Sequence, residues 1–565
     1  MKKSLQENLI SAIQIAYPNI KIDADTIEIN KTTSAVHGDL YSNISMKLAK
    51  ELKDNPINIA NNISKNLQTK DNLKDIKVAA PGYINFYLNK DSKAEVISKI
   101  NDNGVDISLQ CTNKKIHIEY VSANPTGPLH VGHGRGMIVG DTTYNFLNLQ
   151  GYEVCNEYYV NDAGRQIDLL LISVLLKHLN IEEHIFIDEK NDPEGKLLTY
   201  KGKYIEDVAI ELKKFLKLFD KKKILNILNE PIDNTITYLK HHDNYLEIRK
   251  ALVDYILDSY IKKDLEAVGI YFNSWFYESS LYKTGQLDDV LDKIKKKNLS
   301  YEKDGALWFK NKIFGEEKDR VLIKSNGDMT YFATDIAYHV YKFSRYDYLI
   351  NIWGADHHDY AIRLKTALKA LDYDVDNRLE IHLVQFANLI KSGESISMST
   401  RSGEFYAISD LVREVGDNAT RFFYLTKKKE HHLEFDVDVA VNQNKNNPVY
   451  YIQYAHARIN KILTDSSNLT IMNSDYSKLN SSREIEIINH INNCEEVFTN
   501  AITNVKPDTI TNYLYKLSQL FHSYYSETKI LTDKVNGEKI ELIKCIDKII
   551  ITGLKILKIE IMDKM

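Results

Sequence analysis

Residues 119–135 read Glu119-Tyr-Val-Ser-Ala-Asn-Pro-Thr-Gly-Pro-Leu-His130-Val-Gly-His133-Gly-Arg135. The segment leaves a short β-rich run at 116–122, crosses the turn cluster SANPTGP and enters a helical pattern over 129–150 that Gly151 closes. Strand, turn and helix in that order form the opening unit of a doubly wound α/β sheet. The two histidines lie at or near the helix start, and their i, i+3 spacing puts both rings on one face. Free N–H groups at a helix start favour phosphate, and each imidazole adds a donor. Gly132 between them leaves room for a base or ribose against the backbone. The same residues also suit a helix N-terminus with two incidental histidines, so the short motif alone leaves both readings open.

Outward from this unit the pattern continues. A second β-rich run, 152–160, ends at Asn161-Asp162-Ala163-Gly164, and a helical stretch rich in Lys and Glu over much of 165–300 reads as an insertion between sheet halves. Strand-like runs return at 348–353 and 380–386, each followed by a polar or glycine-bearing turn, as expected where ligands gather at strand C-termini. Residues 1 to about 105 read as a small α+β module, with helical spacing at 42–52 and a strand-turn-strand over 78–88 around Pro81-Gly82. From about residue 448 nearly everything is helical. The asparagine run 442–447 reads as a loop or connection.

With 43% apolar and 27% charged residues in 565, the composition is that of a soluble globular protein and excludes both a disordered chain and a membrane bundle. Only 23 glycines and 9 prolines argue for long helices and domains that abut directly. A net charge of −5 gives no global steering toward nucleic acid, so an RNA partner must be met by local patches. Cys111, Cys155, Cys494 and Cys545 stand singly, which argues against a structural zinc site or a disulfide framework and for a reducing cytoplasm. The apolar run 169–176 falls far short of the ~18 residues of a membrane span.

At this point the chain resembles the class I aminoacyl-tRNA synthetases, whose HIGH motif has the shape of 130–133. The longer string SANPTGPLHVGHGRG is similar to the arginyl-tRNA synthetase form. Further similar segments follow in order: VNDAGRQ at 160–166, MTYFATDIAYH at 329–339, WGADHHDY at 353–360, VQFANL at 384–389 and NPVYYIQYAHAR at 447–458. HGDLYSNISMKLAKEL and PGYINFYL are similar to the family's module for the tRNA elbow. The resemblance implies an α/β fold: an N-terminal module that meets the tRNA D-loop (1–105), a Rossmann-type catalytic domain (106–440) with the insertion at about 165–300, and an all-helical anticodon-binding domain (441–565). It implies ligation of L-arginine to its tRNA through an arginyl-adenylate, with ATP and Mg²⁺ as the substrate complex, no structural metal, no membrane partner and a monomeric enzyme.

Carried over position by position, the resemblance gives ATP Pro125, Gly127, His130, Gly132, His133, Gly354, Asp356 and Met398. Gly354 and Asp356 follow a strand, where a small residue admits the ribose and a carboxylate accepts its hydroxyls; capping the next helix is the bland role for Asp356. It gives arginine Glu119, Ser122, Asn124, His133, Tyr331 and Asp335, the last two at i, i+4 on one helix face. A buried carboxylate facing a guanidinium forms a paired fork that lysine cannot reproduce. For tRNA it gives Tyr83 and Asn85, with Tyr450, Tyr454 and Arg458 at helical spacing as stacking faces and a cation. From Val449 onward 14 basic residues balance 14 acidic ones, so RNA there is read by shape, stacking and specific bonds. One segment departs from the family: KMSKS reads Ser397-Met398-Ser399-Thr400-Arg401, and 126–129 holds no compensating lysine. Arg401 is therefore expected as the catalytic cation beside His130 and His133, with Lys391 the weaker candidate.

Three other readings compete. A cysteinyl-tRNA synthetase normally has a zinc thiolate in its amino-acid pocket, which four scattered cysteines do not supply. A HIGH-containing nucleotidyltransferase would be far shorter. A non-catalytic tRNA-binding paralogue would have lost catalytic residues.

Overall fold

The apolar run around Ile116 and Ile118 forms the strand Lys115–Glu119, the middle member of a five-stranded sheet. In space the strands run Leu379–Val384, Tyr348–Gly354, Lys115–Glu119, Glu153–Val160 and Ser274–Tyr277, and every neighbouring pair is parallel. Parallel strands are covered on both faces, and Ile116, Ile118, Leu349, Ile350 and Val160 are all buried. Strand order reverses between Lys115–Glu119 and Tyr348–Gly354, so the crevice for a ligand opens at their C-terminal ends. The computed structural model describes residues 2–32, 37–68, 73–107, 109, 113–181, 199–228, 230–396, 405–466, 476–531 and 536–564.

Two compact units divide the chain: Met1–Asp106 with Ala455–Glu495 and Lys516–Ile550, and Ile107–Tyr454 with Glu496–Tyr515 and Ile551–Met565. The first contains an antiparallel sheet of Asn30–Lys31, Leu40–Ser42, Tyr83–Leu88 and Leu73–Ala79. Ile44, Ile59, Ile63, Ile84 and Phe86 form part of its core, with helices Lys2–Ala16, Ile44–Leu52 and Pro56–Asn66. The second unit holds the parallel sheet, and the helix Val131–Leu149 follows its first strand. Close approach of that helix needs Gly134, where a Cβ would collide with the Tyr424 ring.

Asp141 on the same helix is 1% exposed, and residues far along the chain satisfy it. Arg421 Nη2 donates to its Oδ2 at 2.7 Å and Lys558 Nζ to its Oδ1 at 2.9 Å. Asn145, one turn on, donates to the carbonyl of Ile556 at 2.8 Å.

Among the described residues, the stretch expected as helical over much of 165–300 is interrupted by one strand, with helices Ser279–Lys283 and Gln286–Lys296 beyond it. Helices from Arg165–His178 to Lys262–Glu266 give way to the strand Ser274–Tyr277, the edge of the parallel sheet. Four residues, all but one aromatic, show no alternation from which a strand can be read. An antiparallel sheet, Ser300–Lys303, Ala306–Phe309 and Arg320–Ile323, follows. From Pro448 on the described residues are helical, as the sequence suggests, with long helices Pro448–Ser466, Pro507–Glu527 and Gly537–Ile556.

Candidate active site

Where the first strand ends, the chain turns through Val121 (φ 67°) and Ser122 (φ 41°), a left-handed pair that is costly for a β-branched residue. Neighbours over-determine the turn. Ser122 Oγ donates to Glu119 Oε1 at 3.1 Å and accepts from the Tyr159 N–H at 3.2 Å, and the Tyr158 hydroxyl donates to the Ala123 carbonyl at 2.8 Å. Beyond it Pro125 is buried, Gly127 lies against the Tyr204 ring, and the Leu129 N–H donates to Asp264 Oδ2 at 2.8 Å. Burial holds the Asp264 carboxyl up at about 6 despite that bond. Two residues of the inserted helical region thus brace the signature loop.

His130 is the N-cap of the signature helix. The Gly132 N–H donates to His130 Nδ1 at 3.1 Å, and the His130 N–H donates to His133 Nδ1 at 3.3 Å. Burial lowers both imidazole pKa values, that of His133 to about 3 with help from its neighbour. A neutral imidazole whose Nδ1 accepts carries its proton on Nε2. Both rings, 3.9 Å apart between centroids, therefore offer an Nε2–H donor without a positive charge. Across the switch point, Asp356 sits in a 3₁₀ turn at the end of the fourth strand with 59% of its side chain exposed. His357, not Asp356, occupies the N-cap position of the next helix, so the capping role does not apply. At Gly354 a Cβ would meet the Asp356 carboxylate and lie 3.3 Å from the Phe386 ring.

Met398 and Arg401 lie outside the described residues. Lys391, the weaker candidate, has its ammonium 2.8 Å from Glu414.

On the other flank the carboxylates gather. Asp335 accepts from the Tyr360 hydroxyl, yet burial and the nearby Glu119 hold its carboxyl up at about 7. Glu278, directly after the edge strand Ser274–Tyr277, is 3% exposed and lies beside the Tyr159 hydroxyl. Burial, and then repulsion from Asp335, raises it to about 7 as well. Tyr331 is half exposed, and its hydroxyl lies against Gly164. Asn124 donates to Gln166 Oε1 at 2.9 Å at the surface. Glu119 is already balanced: Lys342 Nζ, on a wholly buried side chain, donates to its Oε2 at 2.9 Å. Arg249, from the inserted helices, donates to the carbonyls of Asp162 and Gly164 at 2.8 and 2.9 Å and so holds the loop after the second strand.

The family described as tRNA synthetases class I (R), catalytic domain, matches residues 96–465. The Arginyl tRNA synthetase N terminal domain matches 2–88, and the DALR anticodon binding domain matches 452–565. An arginine–tRNA ligase from Vesicomyosocius okutanii is 37% identical over 586 residues, covering 100% of both chains. The chain belongs to the arginyl-tRNA synthetase family. A solved chain from Campylobacter jejuni assigned to the same enzyme is 34% identical with a TM-score of 0.70, covering 85% of this chain and 100% of the other. Arginyl-tRNA synthetase from Thermus thermophilus has the same fold, at 19% identity and a TM-score of 0.70 over the full length of both chains.

For a family member, the residues expected at tRNA are unequally placed. Tyr83 is half-buried edge-on to Tyr41, while Asn85 is only 5% exposed in its strand. Tyr450 and Tyr454 stack on each other at 6.1 Å, both half-buried. Arg458 lies over the Tyr525 ring, 4.5 Å from its centroid. Glu278, Lys342 and Arg249, which the structure brings beside the sequence-predicted residues, escaped the sequence reading; the one signal for Glu278 is its place after an aromatic run. Among the described residues no group of three His, Cys, Asp or Glu is arranged to hold a metal ion, and no helix is long and apolar enough to cross a membrane.

Proposed function

We propose that the chain is an arginine–tRNA ligase that activates L-arginine with ATP and transfers it to the 3′-terminal adenosine of its tRNA. The observation that carries this reading is the desolvated pair Asp335 and Glu278, two carboxyl groups raised to about 7. A planar guanidinium supplies the charge and the forked donors such a pair lacks. Lysine's single ammonium does not span two carboxylates in this way.

Arginine's own carboxylate is ionised at neutral pH, so attack on the α-phosphate needs no general base. Catalysis then rests on alignment and on stabilising charge at phosphorus and on the departing pyrophosphate. His130 and His133 present Nε2–H donors for that purpose at the helix N-terminus. ATP enters as its Mg²⁺ complex, which bears part of the phosphate charge. Arg401 is assigned the further cation, Asp356 the ribose hydroxyls, and Asn124 the α-amino or carboxylate end of arginine. The terminal ribose 2′-hydroxyl then accepts the aminoacyl group. The family resemblance, together with the absent signature lysines, supports an activation step that requires bound tRNA.

The test is pyrophosphate exchange with each of the twenty amino acids, with and without tRNA, followed by charging. Exchange with arginine alone, and only when tRNA is present, is the expected result. Exchange with arginine in RNA-free protein overturns the tRNA coupling and leaves the ligase reading standing. Exchange with another amino acid, or with none, overturns the ligase reading.

A further inference from the structure

Lys342 is the one fully buried lysine side chain among the described residues, and nothing in the reaction as derived above uses it. It lies two helical turns beyond Asp335 on the helix Tyr331–Phe343. Its ammonium donates to Glu119 Oε2 at 2.9 Å and to Asn351 Oδ1 at 3.1 Å, and stands 4.1 Å from the centre of the Tyr338 ring. The chain of bonds continues: the Asn351 amide meets His339 Nε2 at 2.7 Å, and His339 Nδ1 meets the Asp335 carbonyl at 2.8 Å. A continuous polar path therefore links the Glu119 carboxylate to the backbone of Asp335.

Burying an ammonium is costly unless it is paired. The groups around this one are His117, Glu119, Glu157, Asp335, Tyr338 and His339. Both histidines are driven neutral by burial, with Lys342 adding to the effect. Glu157 is engaged elsewhere, by His117 at 3.0 Å, Ser274 at 2.7 Å and Tyr338 at 2.5 Å. Lys342 is thus the cation that offsets Glu119. That pair is neutral in sum, while Lys342 also acts on the Asp335 carboxyl and Arg249 on that of Glu278.

We propose that Lys342 is a positioning residue for the amino acid, acting through Glu119: it fixes Glu119 as an oriented carboxylate and matches the charge of the pocket to a single guanidinium. Without it, the Glu119 carboxylate loses its buried partner, and the pocket no longer presents one arrangement to arginine. The inference rests on the reading of this pocket as the arginine site.

The experiment measures Michaelis constants for arginine and for ATP in tRNA charging, from pH 6 to 8.5, for the unaltered full chain, Lys342→Arg, Lys342→Met, Glu119→Gln and the double variant. Lys342→Met is expected to raise the arginine constant roughly a hundredfold, the scale of breaking a buried ion pair, and to move the pH below which it climbs upward. The ATP constant is expected to stay within about twofold, and Lys342→Arg within a few-fold for both substrates. The double variant is expected to bind arginine no worse than either single one, because each single variant leaves a lone buried charge and the double variant leaves none. Should Lys342→Met fail to fold, Glu119→Gln compared with the double variant carries the test. Equal losses for arginine and ATP, an unmoved pH profile, or additive effects overturn the role of Lys342. Absence of arginine charging by the unaltered protein overturns the function itself, and the two failures are distinct.

Discussion

Burial strips charge from both sides of the strand-end cleft, from His130 and His133 under the signature helix and from Asp335 and Glu278 on the opposite flank, yet the two sides use the effect differently. On the side proposed for ATP the neutral form would be the working form, because a neutral imidazole locked at Nδ1 still donates from Nε2. On the side proposed for arginine, a neutral carboxyl is a resting state that a bound guanidinium would reverse. A site can therefore perturb four titratable groups by one cause and obtain a fixed donor array at one end and a charge-selective receptor at the other.

The largest expected effect breaks the receptor. Asp335→Asn or Glu278→Gln removes one partner from a desolvated guanidinium, a loss of about 3–5 kcal/mol by analogy with broken buried ion pairs. Arginine's Michaelis constant should rise at least a hundredfold while that of ATP barely moves; equal changes would mean these groups only support the fold. Next comes the nucleotide side. Arg401→Ala should slow adenylate formation by about 10²–10³, the scale of losing one charge-stabilising donor, with arginine affinity retained. Single-turnover kinetics would show it, and an unchanged rate with normal ATP binding would remove Arg401 from the mechanism.

The pH profile sharpens the contrast. Carboxyl groups held up at about 7 must lose protons to bind the guanidinium, so the arginine constant should rise about tenfold per titrating group from pH 8 to pH 6. His133, at about 3, contributes no inflection there, and the ATP constant should stay flat. Stability follows the same sign. A carboxyl raised above its unfolded value binds more protons folded than unfolded between about pH 4 and 7, so the empty pocket destabilises the fold as pH rises through that window. The melting shift produced by arginine should be larger at pH 8 than at pH 6. Smallest is Tyr360→Phe, which deletes one hydrogen bond to Asp335 and should weaken arginine binding by about tenfold or less, read by titration calorimetry.

Much of this was legible in the chain. The unit at 115–150 is recognisable because β-rich run, turn cluster and capped helix agree with one another, and the ATP-side residues lie on that unit or directly after a strand. What escaped notice depends on tertiary burial. Lys342 sits in a helix whose pattern gives no reason to bury a lysine, and only the packed sheet makes its ammonium internal. Glu278 is visible only once the four-residue edge strand before it is known, and Arg249 reads as one charge in a Lys-rich helical stretch. Asp356 was the opposite case: its place after a strand suggested a carboxylate for ribose hydroxyls with a helix cap as the bland alternative, and the structure leaves its carboxylate exposed and off the cap position.

The clamp on Asp141 has a meaning for how the protein is made. Its two cationic partners, Arg421 and Lys558, are joined to the growing chain 280 and 417 residues later. Until the ribosome reaches them, the helix that carries the histidines holds a carboxylate meant for the interior with nothing to neutralise it. The signature is thus among the early parts of the catalytic unit to be synthesised and among the last to be secured. Nascent chains should stay protease-sensitive around residue 141 until translation passes residue 558, with chaperones engaged throughout that interval.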